Sequence, residues 1–225
     1  MRSTGFRLIR IETSHWLKMR ISEKTIELTF AAQCASFMSA PPIWFGLTQQ
    51  QEARLGFDAC TRMNGGLVLF QFKASSNGTN RLRRYTASHD QLQHLQLLSR
   101  NFPSVSIYYV FPRIEDSTEL ASNPDLLSQC HLVDIGTLPD PFPPPTNIDG
   151  SMRKNFSHNV ELNLATGVIR FHSEPVDAET FVAASYLKEM LRRIEPVSDN
   201  DKANIFAMVG AFSGASIGLL TPISQ

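Results

Sequence analysis

Three polar residues in two short segments have the side-chain types that phosphodiester hydrolysis requires. Asp58 ends the segment Gly56-Phe57-Asp58. Twelve residues separate it from Gln71, and Gln71 and Lys73 flank a phenylalanine. Cleavage of a phosphodiester needs a metal that polarises the phosphate and lowers the pKa of an attacking water. Mg²⁺ prefers oxygen ligands, usually one or two carboxylates together with water and phosphate oxygens. A carboxylate, an amide and an ammonium group in this pattern therefore predict a metal-dependent hydrolytic site.

The two segments are typical of the strands of a β-hairpin. Asn64-Gly65 lies between them, and Asn-Gly is the strongest short signal for a two-residue hairpin turn. With that turn the numbers of opposed residues sum to 129, so that Asp58 faces Gln71. Because side chains alternate along a strand, Asp58, Gln71 and Lys73 are predicted to share one face. Cys60 and Leu69 join that face, and the other carries Phe57, Ala59, Val68, Phe70 and Phe72.

Helices and strands predicted on both sides of the hairpin would hold this face in place. Hydrophobic periodicity predicts a helix over 21–38, capped by Ser22 or Thr25. Ser88 and Gln91 have capping-box spacing and open a second predicted helix. The other predicted elements are strands over 105–111 and 131–138, a short helix over 123–129, a hairpin over 160–172 and a helix over 177–193. Strands alternating with helices predict an α/β fold.

The order of these motifs resembles the PD-(D/E)XK, or restriction-endonuclease-like, nuclease superfamily. The resemblance covers roughly 22–112 and is nearest to the Mrr type, in which a Gly-X-Asp strand precedes a Gln-X-Lys strand. Gln71 replaces the acidic residue of the superfamily norm, a departure that is common in the Mrr type. The resemblance implies a mixed central sheet flanked by helices and a metal-dependent DNA endonuclease that acts as a homodimer. Proteins of this general type also occur among bacterial anti-phage defence nucleases.

Within such a site, the residues of the hairpin would bind Mg²⁺ or Mn²⁺ and the phosphate. Asp58 is expected to supply a metal-ligating carboxylate, and the Gln71 amide and the Phe72 carbonyl are expected to supply neutral oxygens. One negative charge fewer weakens metal binding and leaves the bound metal more electrophilic. Lys73 is expected to position water or to stabilise the charge that develops on the phosphate.

The resemblance also implies a carboxylate from the first helix. Glu27 is the preferred candidate for this ligand, and Glu23 is the alternative. Glu52 lies shortly before the catalytic strand and is a third possible contributor. Gln91, at the start of the following helix, is expected to hold a metal-bound water or a phosphate of the DNA.

The charge distribution predicts where DNA would bind. The chain has 21 basic and 21 acidic residues, which excludes a basic field over the whole protein. Residues 1–100 hold 13 basic and 6 acidic side chains, a net +7, whereas residues 101–225 hold 8 basic and 15 acidic ones, a net −7. No acidic residue lies between Lys73 and Arg84, and Arg81, Arg83 and Arg84 are predicted to contact the phosphate backbone.

Each of these residues also has a purely structural explanation when it is taken alone. Asp58 could cap a turn, Gln71 could be a satisfied amide in a half-buried sheet, and the arginines could be a solvated loop. The competing functional hypothesis is a catalytically weak or inactive nuclease-like module that binds DNA or a partner protein. A zinc site at His158 and His172 is disfavoured, because no cysteine accompanies them.

The chain divides into three predicted segments. A basic extension covers 1–20, the restriction-endonuclease-like domain covers 21–197, and an apolar tail covers 203–225. Glycines recur at every fourth position of the tail, which is typical of helices that pack closely in membranes. Polar residues in the tail favour packing on the domain or a partner instead, so a membrane contact is the weaker alternative. Three cysteines without a CxxC motif predict a reduced, cytoplasmic protein.

Overall fold

The computed structural model describes residues 18–37, 43–63, 66–172 and 176–192, which form a mixed α/β fold. The predicted α/β class is therefore confirmed. The helices are α1 (Glu23–Phe37), α2 (Gln49–Leu55), α3 (His89–Asn101), α4 (Ser117–Ser122) and α5 (Ala183–Arg192). The strands are β1 (Trp44–Gly46), β2 (Ala59–Met63), β3 (Gly66–Phe72), β4 (Asn77–Gly78), β5 (Leu82–Ser88), β6 (Ser106–Pro112), β7 (Cys130–Asp134), β8 (Ser157–Asn163), β9 (Ile169–His172), β10 (Val176–Ala178) and β11 (Phe181–Val182).

The central sheet has six strands in the order β1-β2-β3-β6-β7-β11. It is mixed, because β3 pairs with β6 in parallel and the other neighbours are antiparallel. Ala59 is opposite Phe70 and Thr61 is opposite Val68, which confirms the predicted hairpin register. The turn residues Asn64 and Gly65 lie outside the described residues.

Two apolar layers enclose the central sheet. On one side, α1 and α5 pack against the face that carries Phe70 and Phe72, and the Phe30 ring lies 5.4 Å from each of these rings, centroid to centroid. On the other side lie α3 and a second sheet of five strands, in the order β10-β9-β8-β5-β4. Phe57 packs in this second layer, with Cys60 and Leu69, so the prediction that it lies beside Phe70 is wrong. Phe57 precedes the first residue of β2, and the strict alternation of a strand does not reach it.

The second sheet is the largest departure from the sequence prediction. Segment 82–88 is strand β5, although no strand is predicted there. The predicted helix over 177–193 begins only at Ala183, because 176–178 and 181–182 are short strands. Within 123–129 only a 3₁₀ turn forms, at Leu127–Gln129, and the strand predicted to end at 138 ends at Asp134.

The described residues begin within the predicted basic extension, at Lys18. Lys18 lies 3.3 Å from a carboxylate oxygen of Asp116, and Arg20 forms a β-bridge with the same residue. The last three residues of the basic extension are therefore anchored to the start of α4. Residues 1–17, the end of the predicted domain at 193–197 and the whole tail at 203–225 lie outside the described residues.

Candidate active site

Asp58 occupies a bend immediately before β2, where backbone pairing fixes its position. Its N–H donates to the carbonyl of Phe70, and its own carbonyl accepts from the N–H of Leu47. Its carboxylate oxygen Oδ2 accepts two hydrogen bonds, from the Phe72 N–H at 2.7 Å and from the Gln71 amide nitrogen at 2.8 Å. The carboxylate is therefore oriented by the neighbouring strand and keeps Oδ1 for another ligand.

The environment of Asp58 disfavours its negative charge. The side chain is 9% exposed, and this burial raises the pKa of Asp58 to about 7. The hydrogen bond from Phe72 and the positive charge of Lys73 act in the opposite direction, whereas the charge of Glu23 adds to the rise. Near neutral pH the carboxyl is thus divided between its two protonation states, and a bound cation would favour the ionised one.

Gln71 is the most deeply buried polar residue of the predicted site, at 1% exposure. Its amide nitrogen donates to Asp58 and, at 3.1 Å, to the carbonyl of Phe72. The opposite amide orientation would bring the amide oxygen against these two acceptors, so the observed one is chemically required. Its oxygen Oε1 is buried without a hydrogen-bond partner among the described residues. A buried acceptor of this kind is expected to have a ligand.

Lys73 follows β3 and extends its ladder, because its N–H donates to the carbonyl of Val110. The side chain is 7% exposed, and its amino group donates to Oε1 of Gln91 at 2.8 Å. Burial lowers the pKa of Lys73, while the negative charges of Glu23 and Asp58 oppose that change. Ser88 caps α3 by accepting from the Gln91 N–H, but the Gln91 side chain contacts Lys73. Of the predicted capping pair, Ser88 therefore caps the helix and Gln91 contributes its side chain to the site.

Tyr109 belongs to this cluster, although its sequence context predicts only a buried strand over 105–111. It pairs with Gln71 in the parallel β3–β6 register, and its ring centroid lies 5.8 Å from the Lys73 amine. Its hydroxyl is buried and has no hydrogen-bond partner among the described residues. Burial raises the pKa of Tyr109, so the hydroxyl stays a donor. Only the register of two strands far apart in sequence identifies this residue.

The carboxylates of α1 and α2 divide between the two lysines. Glu23 Oε1 lies 3.9 Å from the Lys73 amine, whereas both oxygens of Glu27 accept from Lys24 at 2.8 Å. The structure therefore shows Glu23, the alternative candidate, beside Lys73, whereas the preferred Glu27 is paired with Lys24. Burial raises the pKa of Glu52, and Lys24 opposes this rise while Glu27 and Glu23 add to it. Glu52 accordingly lies at the edge of the same charged group.

The three arginines predicted to bind DNA have different surroundings. Arg83 is 7% exposed, and its guanidinium donates to two backbone carbonyls and to Glu119 at 2.7 Å. It stabilises the packing of β5 on α4 and is not available to a phosphate. Arg84 is exposed on the opposite face of β5 and pairs with Glu161, and Arg81 is exposed beside the strand. The structure thus does not bring the three together on one surface.

The donor set fits a hard divalent cation in part. Asp58 Oδ1 and the buried Gln71 Oε1 are oxygens without a hydrogen-bond partner in the part of the chain that is described. The Phe72 carbonyl accepts one hydrogen bond and retains a second lone pair. Within the described ranges, no three His, Cys, Asp or Glu side chains form a metal-binding group. Besides Asp58, any cation here would therefore rely on the amide and carbonyl oxygens and on water.

His158 and His172 do not form a joint site. His158 is buried and lies 3.0 Å from His89, nitrogen to nitrogen, whereas His172 is half exposed and pairs with Glu161. Asn159 is the residue opposite His172, so the two histidines project from opposite faces of the second sheet.

Comparisons with known proteins leave these residues as the basis of any assignment. A scan against protein-family models finds no match, and a search of the curated proteins finds none either. No helix within the described ranges has the length and apolar character needed to cross a membrane. The restriction-endonuclease-like resemblance therefore stays a prediction that rests on Asp58, Gln71 and Lys73 and on the elements that join them.

Proposed function

We propose that this protein is a metal-dependent DNA endonuclease whose site is the Asp58–Gln71–Lys73 cluster. The observation that carries the proposal is the convergence of the three side chains. Two hydrogen bonds on one oxygen orient the Asp58 carboxylate, Gln71 has an unpartnered buried oxygen, and Lys73 is held by Gln91. Because most buried polar atoms in a protein have a partner, an unpartnered oxygen beside an oriented carboxylate and a buried amine favours a ligand-binding role for this cluster.

In this proposal each residue of the cluster has a distinct role. Asp58 and Gln71 would hold Mg²⁺ or Mn²⁺ through their free oxygens, with the Phe72 carbonyl as a third ligand. When bound, the cation would polarise the scissile phosphate and favour ionisation of the attacking water. The Lys73 amine donates to the phosphate oxygens and stabilises the negative charge that grows on them during attack. Gln91 fixes the position of that amine, and Glu23 helps to keep it protonated.

Plasmid nicking with Mg²⁺ or Mn²⁺ tests the proposal. We expect wild type to convert supercoiled plasmid to the open circle, and Asp58→Ala and Lys73→Ala each to lower the rate by about 100-fold or more. Asp125→Ala and Lys188→Ala remove the same charges from exposed positions and serve as matched controls. Cleavage that survives both site substitutions would show that the activity belongs elsewhere or to a contaminant.

A second candidate is a nuclease-like module that binds DNA or a partner protein without cutting DNA. It is favoured by the amide of Gln71 at the position where the superfamily norm has an acid, and by the lack of a three-carboxylate group in the described part of the chain. Gel-shift and nicking assays on the same preparations separate the two candidates. A DNA complex without nicking under either metal would support the binding module.

A further inference from the structure

A groove of about 720 Å³ lies on the outer face of the second sheet, apart from the Asp58 cluster. Its floor is formed by outward-facing residues of β5, β8 and β9, and the 146–153 loop forms one wall. The side chains that line it are almost all polar, and they include Arg84, Arg153, His172 and Asn159. Nothing in the predicted site explains why a sheet face should be concave and polar here.

The charges in the groove favour an anion. The lining holds two arginines, Arg84 and Arg153, and one acidic residue, Glu161. Glu161 already binds Arg84 at 2.7 Å and also pairs with His172. No carboxylate in the described part of the chain lies within salt-bridge distance of Arg153. The groove thus offers one uncompensated guanidinium surrounded by hydroxyl and amide donors.

The lining has the groups that bind phosphate, and among its described residues it has no exposed phenylalanine, tyrosine or tryptophan ring to stack on a base. Guanidinium, amide and hydroxyl groups supply most contacts to the DNA backbone, whereas bases are recognised by stacking or by base-edge hydrogen bonds in the grooves of DNA. Tyr85 is the only phenylalanine, tyrosine or tryptophan of the described lining; it is 1% exposed and donates its hydroxyl to the Pro112 carbonyl, so it offers no stacking surface, and the His172 imidazole is paired with Glu161. A ligand of this groove would therefore be bound by its phosphates.

The groove is linked to the predicted site by the chain itself. Ser76 lines the groove and follows Lys73 by three residues, which span at most about 11 Å at about 3.6 Å per residue. At about 3.4 Å per nucleotide, that distance corresponds to roughly three steps along one DNA strand. Strand β5, which contributes to the floor of the groove, leads at its C-terminal end directly into α3, whose Gln91 contacts Lys73.

We propose that this groove binds the phosphate backbone of a DNA strand next to the bond to be cut, with Arg153 as its principal phosphate contact. The inference rests on the proposed nuclease function for its choice of ligand. The sequence predicts that Arg81, Arg83 and Arg84 contact DNA. The groove instead assigns this contact to Arg84 and Arg153, and Arg83 has no part in it. A single phosphate contact adds affinity that falls with salt and carries no sequence preference.

Binding of a labelled DNA duplex to the full chain in EDTA, measured over a range of salt, tests the groove without cleavage. Arg153→Ala is expected to weaken binding about eightfold at about 0.1 M salt and to lower the slope of log K against log salt by about 0.9. Lys154→Ala removes the same charge from the next, exposed residue, which does not line the groove, and is expected to change neither quantity appreciably. Equal effects of the two substitutions would overturn the proposal.

A substitution of opposite sign guards against effects of misfolding. Glu161→Gln removes the carboxylate of the groove and releases Arg84, so binding is expected to tighten about threefold or more and the salt slope to steepen. Tighter binding cannot result from misfolding, because a damaged protein does not bind DNA more tightly. Unchanged or weaker binding would contradict the proposal. The binding and nicking assays test separate claims. If the Arg153 and Glu161 substitutions do not change DNA binding as expected, only the groove proposal is overturned. If they do and no plasmid is cleaved, only the nuclease function is overturned.

Discussion

The raised pKa of Asp58 makes the predicted site a source of instability that can be measured. Replacing Asp58 with asparagine keeps an oxygen that accepts from Phe72 and Gln71, but it removes the buried charge. A rise from 3.8 to about 7 corresponds to about 4 kcal/mol at about 1.36 kcal/mol per pH unit. Allowing for imperfect replacement of the second oxygen, we expect Asp58→Asn to stabilise the protein by about 2 to 4 kcal/mol at pH 8.

The pH dependence identifies the cause of this gain. Between pH 3.8 and about 7 the folded state holds a proton that the unfolded state has released, so stability attributable to Asp58 falls as the pH rises. Above about 7 both states are ionised and the loss levels off. The difference between Asp58→Asn and wild type is therefore expected to grow by about 3 kcal/mol from pH 5 to pH 8. Urea unfolding in EDTA at several pH values measures it, and the subtraction cancels the other titrating groups.

Asp90→Asn is the matched control, since it changes an exposed aspartate in the first turn of α3. There the lost carboxylate was favoured by the helix dipole, so a loss of under about 1 kcal/mol is expected at pH 8. Mg²⁺ or Mn²⁺ at pH 8 is expected to stabilise wild type and to leave Asp58→Asn unchanged. An asparagine variant that is no more stable than wild type at pH 8, or a difference that does not vary with pH, would refute the reasoning.

Other residues lead to further predictions. Arg83→Ala is expected to cost about 2 to 4 kcal/mol in urea unfolding, because it removes the hydrogen bonds of a buried guanidinium to two backbone carbonyls and to Glu119, whereas Arg81→Ala stays within about 0.5. Burial lowers the pKa of His131 to about 4, so stability is lost as the pH falls from 6.5 to about 4, and His131→Leu should abolish a loss of about 3 kcal/mol in acid unfolding. Tyr109→Phe removes an unpartnered hydroxyl and should keep or raise the midpoint of thermal unfolding; a drop of several degrees would reveal a missing partner.

Local signals explain what the sequence predicted well. The Asn-Gly pair and the alternation of polar and apolar residues determine the register of β2 and β3, since a shift of one residue would bury Asp58 and Gln71 among phenylalanines. The cap at Ser88 is equally local, because its hydroxyl accepts from a backbone N–H three residues on. The register brings Asp58 next to Gln71, and the hydrogen bonds of Phe72 to Asp58 and of Lys73 to Gln91 complete the convergence.

The second sheet could not be predicted by the same means. Strand β5 carries an alternating pattern, in which Tyr85 and Ala87 are buried and Arg84 and Thr86 are exposed. The cluster of arginines obscured it, because Arg83 lies on the buried side and is neutralised by Glu119, far away in sequence. Its partner strand β8 begins about 70 residues later, and no local preference encodes such a pairing. The groove on that sheet was therefore invisible in the sequence.

The structure gives a physical reason for a glutamine at position 71, where the superfamily pattern has an acidic residue. An acid there would place a second carboxylate against Oδ2 of Asp58 in a buried pocket, and the two like charges would raise each other's pKa. Gln71 instead donates its amide nitrogen to that oxygen, and this hydrogen bond lowers the pKa of Asp58. The amide therefore stabilises the ionised carboxylate and keeps its own oxygen without a partner, so that a single buried negative charge would be available to the proposed cation.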